Sequence, residues 1–220
     1  GSFLAPNVEA IVAKRPDVIL AVPSPGNRNP VESLRQLGLR VVVVEPQSVE
    51  EIKRSILTVG AEIGRDSEAG VLVSRIEQRT ATVRAGVAGA PPRKVLMVIG
   101  QTPLHAVGGG TFLDELIGMA GGINLGAKAG GAWPHLSVEF VITAAPEVII
   151  DTTMGNEERT GAGSAAHFWD GFPMVPAVRS EETVDVGRGV GEGPGKGQPE
   201  PGADPRTLRP PVLEDAIVGD

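Results

Sequence analysis

One pattern is written twice in this chain. Asn7-Val-Glu-Ala-Ile-Val-Ala-Lys-Arg-Pro-Asp-Val-Ile-Leu20 returns later as Ser137-Val-Glu-Phe-Val-Ile-Thr-Ala-Ala-Pro-Glu-Val-Ile-Ile150. Each copy opens on a residue able to cap a helix, runs through Val-Glu and an apolar helical face, and stops at proline. An acid and a β-branched run follow. The physical reading is a short capped helix, ended by proline, that feeds a buried strand. Two such units, on either side of a long proline-free stretch, predict two lobes of related build. Glu9 and Glu139 hold equivalent places in them. A carboxylate in the first turn of a helix is favoured by the macrodipole by about 0.3–1 kcal/mol, which is reason enough for both. Two acids presented on matching sides would equally suit a partner with two basic sockets, because such charges set orientation and specificity.

The rest of the chain alternates in the same way. Asp17–Ala21, Arg40–Val44, Lys94–Ile99 and Glu147–Asp151 are short apolar runs rich in β-branched residues, as expected of strands in a parallel sheet covered on both faces. Helical patterns occupy Val8–Lys14, Pro30–Leu37, Val49–Ile63, Thr111–Met119 and Val138–Ala144. This order predicts an α/β fold. From Ser67 to Ala88 no proline interrupts, and Asp66 or Ser67 is placed to cap a helix with a stripe of Val71, Ile76, Thr80, Val83 and Val87. A helix of that length is a rod of about 33 Å, long enough to join two lobes. Ala90-Pro91-Pro92 ends it. Val190–Pro211 is dominated by Gly and Pro without hydrophobic period and reads as a disordered or loosely attached tail. The expected division is a first lobe over 1–66, the connecting helix over 67–92, a second lobe over 93–189 and the tail over 190–220.

Composition removes several classes. The 220 residues carry a net charge of −7 without a basic run, so a nucleic-acid surface is not expected. No apolar stretch reaches the roughly 18–20 residues of a membrane-spanning helix. Cysteine is absent, which excludes disulfides, thiolate metal sites and cysteine nucleophiles; tyrosine is absent too, which removes phenolate ligands. Gly1-Ser2-Phe3-Leu4 does not read as a secretion signal.

No catalytic set emerges. Gly108-Gly109-Gly110-Thr111 precedes a helix but lacks the Gly-Lys-Ser/Thr of a nucleotide loop, so a turn capped by Thr111 is expected. Gly187–Gly193 forms no proper GxGxxG, and Gly163-Ser164-Ala165 lacks the flanking glycine of a nucleophile elbow. His105, His135 and His167 are not spaced as metal ligands. His105 follows a strand end, where α/β folds bind ligands, and reads either as a solvated loop residue or as a ligand to haem iron or corrinoid cobalt. His135 is open to the same two readings. Trp133, between Gly130-Gly131 and Pro134, suits an exposed loop, either half-buried or against a ligand. Trp169, with Phe168 and Phe172, is expected in the core of the second lobe.

Three stretches carry a family resemblance: Asn7–Ala21; Leu39–Val44 with Val49–Arg65; and Lys94–Asp151. The last contains Gly108-Gly-Gly-Thr-Phe-Leu-Asp-Glu-Leu, Ala120-Gly-Gly-Ile-Asn and Trp133-Pro-His-Leu-Ser-Val-Glu. In order and spacing the chain resembles the periplasmic substrate-binding proteins of ABC importers for cobalamin, haem and ferric siderophores. The match covers about residues 3–186. It implies two Rossmann-like lobes with central parallel sheets, joined by one long rigid helix. It implies that Glu9 and Glu139 are the acids that meet arginines on the importer's permease, and that ligand sits between the lobes. In cobalamin-binding members, aromatic residues six positions before each docking glutamate line that cleft; here these are Phe3 and Trp133. A third aromatic of those members would fall near Val22 and is missing. The family's first strand-helix-strand unit is not seen before Phe3, and its C-terminal helix is at best Leu208–Ile217.

The resulting expectation is a non-enzymatic, monomeric solute-binding protein without a resident cofactor, periplasmic or lipid-anchored at the cell surface. Its cargo is expected to be a metal chelate, cobalamin or another corrinoid before haem or a siderophore. Lack of tyrosine weighs against a tyrosine-ligated haem, and few basic residues near the cleft (Arg28 and Arg159) weigh against strongly anionic siderophores. A flat, largely apolar ligand would suit a clamp of Phe3 and Trp133, with His105 and His135 beside it. The alternatives are a nucleotide-using Rossmann-like enzyme, which would need a glycine fingerprint after the first strand, and an interaction module that binds no ligand.

Overall fold

The computed structural model describes residues 6–22, 28–153 and 165–185. They fall into two compact units, those of Gly1–Pro92 with Gly109–Ile123 and those of Arg93–Gly108 with Asn124–Asp220. The segment 109–123, which the sequence places in a second lobe, is thus part of the first unit.

The first unit begins with α1 (Val8–Ala13), whose cap Asn7 accepts a hydrogen bond from the Ala10 amide at 2.8 Å. Strands β1 (Ile19–Ala21) and β2 (Val41–Val43) pair in parallel, with Leu20 opposite Val42. Between them lies α2 (Arg28–Gln36). Gly38, at φ +80°, ends that helix: its amide and that of Leu39 return to the carbonyls of Arg35 and Leu34. Coverage on both faces is not seen for β1, where Leu20 is 49% exposed.

Helices α3 (Val49–Glu62) and α4 (Asp66–Gly86) form a hairpin. Ser48 and Glu51 make a reciprocal capping box at the start of α3. Gly64, at φ +70°, closes it, with the Arg65 amide bonded to the Gly60 carbonyl at 2.7 Å. The helices then approach so closely that a Cβ on Gly60 would lie 2.4 Å from the Cβ of Ala69. Lys53 ties them further along, at 2.7 Å from Glu50 and 2.9 Å from Glu77, and these carboxylates hold its ammonium pKa up.

Two details of α4 differ from expectation. Its cap is Arg65, which makes no side-chain capping bond, rather than Asp66 or Ser67. Val71 and Val83 face solvent, while Ala69, Val73, Ile76, Thr80 and Val87 are the more buried positions. The interspersed polar residues blurred which side of the helix packs.

Helix α5 (Phe112–Met119) completes this unit. Thr111 caps it by accepting from the Asp114 amide at 3.1 Å, and Asp114 in turn accepts from the Gly110 amide at 3.0 Å. Glu115 accepts from the Val49 amide at 2.8 Å, so α5 also caps α3. The acidic half of the 108–116 motif therefore fastens helix ends.

The second unit is built on β3 (Arg93–Gln101), flanked by β4 (Leu104–Ala106) and β6 (Val148–Asp151), with β7 (Thr183–Asp185) beyond β6. β3 pairs β6 in parallel and β4 in antiparallel; β6 pairs β7 in parallel. β5 (Gly122–Asn124), of which Asn124 belongs to this unit, also pairs β3. A 3-10 turn (Gly126–Ala129), α6 (Val138–Ala144), α7 (Ala165–Asp170) and α8 (Pro176–Arg179) complete the order. The core gathers Leu96, Val98, Ile149, Leu125 and Val141 with Trp169 and Val175; Phe168 and Phe172 pack against it. Trp169 is in the core, as its aromatic neighbours suggest. The tail over 190–220 and Leu208–Ile217 lie outside the described residues, as do the whole glycine segment 187–193 and the Gly163-Ser164 pair.

The repeat survives in three dimensions in its cap, its exit before proline and the strand that follows. Ser137 caps α6 by accepting from the Phe140 amide at 3.1 Å, as Asn7 does for Ala10. Arg15 (φ 47°) and Ala145 (φ 50°), each just before the proline, both adopt the left-handed conformation. The proline ring disfavours the α region for its predecessor, so the chain leaves the helix through this strained corner. A strand follows in both copies.

Candidate functional site

The sequence-predicted residues are best followed unit by unit. Glu9 sits exposed in the first turn of α1, and Arg28 is the exposed first residue of α2, both in the first unit. Glu139 sits exposed in the first turn of α6 in the second unit. Its carboxyl is held below the ordinary glutamate value, first by its own backbone amide and then by the Ser137 hydroxyl. Phe3 and Arg159 lie outside the described residues.

Trp133, His105 and His135 come together in the second unit. Two glycines at positive φ, Gly130 (+80°) and Gly131 (+75°), lead into a strap that lies against β4. The Gly108 amide bonds the Ala132 carbonyl at 2.8 Å, the Ala106 amide bonds Pro134 at 3.0 Å, and the Leu136 amide bonds Leu104 at 2.9 Å. Only glycine fits at 108, where a Cβ would fall 1.9 Å from the Gly131 carbonyl oxygen. Pro134 and Leu136 are buried while Trp133 keeps 48% of its surface exposed. The backbone under the indole is thus fixed and the indole itself is open, which suits an aromatic face awaiting a partner.

His105 corrects the reading of a residue in a loop after a strand end. The chain turns back after Gln101, and His105 lies half-buried on β4, between buried Leu104 and Ala106. Antiparallel bridging places His135 opposite it, with ring centroids 3.8 Å apart and planes at 50°. Sequence spacing gave no sign of this pair, because the strap that carries His135 is positioned by backbone bonds to β4 rather than by any local motif. The apolar–histidine–apolar alternation of Leu104, His105 and Ala106 is the local signal the sequence carries.

Sequence reasoning also passed over Asp151 and Asn124. Asp151, fully buried at the end of β6, accepts from the Trp169 indole at 2.8 Å, the Gln101 amide group at 2.8 Å and the Thr153 amide at 2.9 Å. Asn124 bonds the Val107 and Gly108 carbonyls at 3.1 and 3.3 Å and accepts from the Gly126 amide at 3.0 Å. Neither needs a ligand to be satisfied; both hold the framework beneath the strap.

A family model described as periplasmic binding protein matches residues 1–180. The chain belongs to the periplasmic binding protein family. Among curated relatives of this periplasmic binding protein is a vitamin B12-binding protein of Yersinia pestis (strain Pestoides F), 28% identical over 176 residues. That alignment takes in 80% of this chain and 61% of the relative, so the chain spans about three fifths of the relative's length. Among solved structures, the periplasmic haem-binding protein of Vibrio cholerae superposes with a TM-score of 0.71 at 20% identity, over 84% of this chain and 73% of that one. The periplasmic vitamin B12-binding protein of Vibrio cholerae gives 0.66 at 22% identity, over 81% and 68%. At such identities these likenesses show the fold, a mixed α/β binding-protein architecture.

Proposed function

We propose that this periplasmic binding protein captures a metal chelate and delivers it to the permease of an ABC importer. Its cargo is cobalamin or a related corrinoid, carried rather than held as a resident cofactor; haem and ferric siderophores are the competing cargoes. The observation that carries the reading is the duplicated acid. Glu9 and Glu139, one in each unit, stand in the first turn of helices with equivalent side-chain caps, Asn7 and Ser137, and a positive-φ residue just before proline. A solvated helix end needs no such duplication, whereas a partner with paired basic sockets does. Trp133 supports the cargo, since an open indole on a fixed strap suits the face of a large ring system. Phe3, Arg28 and Arg159 join it as ligand-binding residues, and one of His105 and His135 offers an imidazole nitrogen to the metal's axial position. The protein acts as a monomer on the periplasmic side, free or lipid-anchored. It performs no chemistry on its cargo.

Charge reversal tests this directly. The E9K/E139K protein is expected to lose binding to the permease in proteoliposomes while keeping its affinity for cyanocobalamin. Retained docking would overturn the role given to these acids.

A further inference from the structure

The cargo reading takes one imidazole of the histidine pair and leaves the pairing itself unused. His105 and His135 face each other across an antiparallel bridge, with backbone bonds on either side of them rather than between them. Pairs of this kind are the closer type, and their side chains rise from the same face. Gly100 lies beside His105 on β3, where a Cβ would sit in ordinary contact with that of His105 at 3.7 Å. Buried neighbours on both sides, Leu104 and Ala106 for one and Pro134 and Leu136 for the other, fix the two backbones. Two imidazoles therefore leave anchored positions side by side.

We propose that His105 and His135 form a two-imidazole site for a divalent first-row transition-metal ion such as Cu2+, Ni2+ or Zn2+. Imidazole is a preferred ligand of these ions. Two nitrogens bound to one ion at 2.0–2.1 Å and at a right angle or wider lie about 3 Å apart. Rings whose centroids are 3.8 Å apart are close enough for one nitrogen of each to serve the same ion. Among the described residues no group of three or more His, Cys, Asp or Glu is placed to hold a metal. The other coordination positions then belong to water or to donors of a small chelator, which makes the site open and exchangeable rather than structural. Both nitrogens come from one side of the ion and must bind in adjacent positions. A porphyrin or corrin fills the equatorial plane and leaves only two opposed positions, so the pair cannot chelate the metal of such a cargo through both rings. Chelation through both rings is accordingly distinct from the single axial imidazole proposed above for the cargo, and a metal with two adjacent exchangeable positions is what the pair selects.

The test is a titration of the full-length, metal-stripped protein with Cu2+ alone, followed by electron paramagnetic resonance and calorimetry. One ion per chain is expected, with hyperfine structure from two nitrogens, and Ni2+ and Zn2+ are expected to bind more weakly. H135A and H105A should each weaken binding by at least about tenfold, and H167A should leave it unchanged. His135 is exposed, so H135A keeps the fold; if H105A melts early, H105Q with a native melting curve reads the same loss. A wild-type spectrum with fewer than two nitrogens, or an H105A/H135A protein that binds Cu2+ like wild type, would overturn the site. W133F, which leaves both imidazoles in place, should keep Cu2+ binding, and its cyanocobalamin affinity reports separately on the cargo reading.

Discussion

Single residues in this protein are set by what their neighbours donate. Glu139 is exposed, yet its own amide and the Ser137 hydroxyl lower its pKa. Ser137→Ala removes one of these donors and the cap on the Phe140 amide together. Loss of such a cap costs about 0.5–2 kcal/mol, and the Glu139 pKa should rise toward the ordinary glutamate value. The sign follows from linkage. A depressed carboxyl stabilises the fold above its unfolded pKa, and that contribution is lost as pH falls through its folded pKa. The S137A protein should therefore lose less stability on acidification through that range than wild type, as NMR titration of Glu139 and acid unfolding will read. Asp151 is the opposite case, a buried carboxylate satisfied by three donors from Trp169, Gln101 and Thr153. D151A strands the indole N–H of a tryptophan that is 2% exposed, at a cost of about 1–3 kcal/mol for that group alone. Denaturant unfolding should show that loss, and W169F/D151A should recover part of it.

At the scale of elements, close approach decides. Alanine is a better helix former than glycine by about 1 kcal/mol, so G60A would ordinarily stabilise α3. Here its Cβ would meet that of Ala69 at 2.4 Å, and the two helices must part. Overpacking of this kind costs about 1–3 kcal/mol, so G60A should lower Tm and G60A/A69G should restore much of it. The same logic applies to the strap at 130–136. G108A pushes against a carbonyl that no side-chain rotation can move, and it should release the amides of Ala106 and Leu136 to hydrogen exchange. What was legible in the sequence follows from locality. α6 is found at its observed bounds and α3 within a residue, because Ser48, Glu51 and Ser137 sit beside the amides they cap. β4, β5 and β7 were not found. Each is three residues long and exists only because β3 or β6 lies alongside, a fact no local window contains. The His105–His135 pair was hidden for the same reason.

For the molecule as a whole, the two units differ in how much they bury. The continuous core of Leu96, Val98, Ile149, Val141 and Trp169 lies in the second unit. In the first, the buried side chains among the described residues are few, chiefly Leu34, Ala69 and Ile117. Opening free energies follow buried apolar packing, so the amides of Leu96, Val98 and Ile149 should exchange last and those of Val41–Val43 well before them. The α/β class and the doubled capped-helix unit were legible from end to end, since they rest on alternation and on the placement of two prolines. The cargo was not, because its recognition depends on side chains drawn from distant segments. A titration of the full-length protein with cyanocobalamin, read by tryptophan fluorescence, tests the central claim most directly. Its two tryptophans are separable, one exposed at 133 and one buried at 169. Saturable one-to-one quenching of the red-shifted, exposed component, abolished in W133F, is the expected result. No quenching by cyanocobalamin, haemin or a ferric hydroxamate would contradict a role in chelate capture.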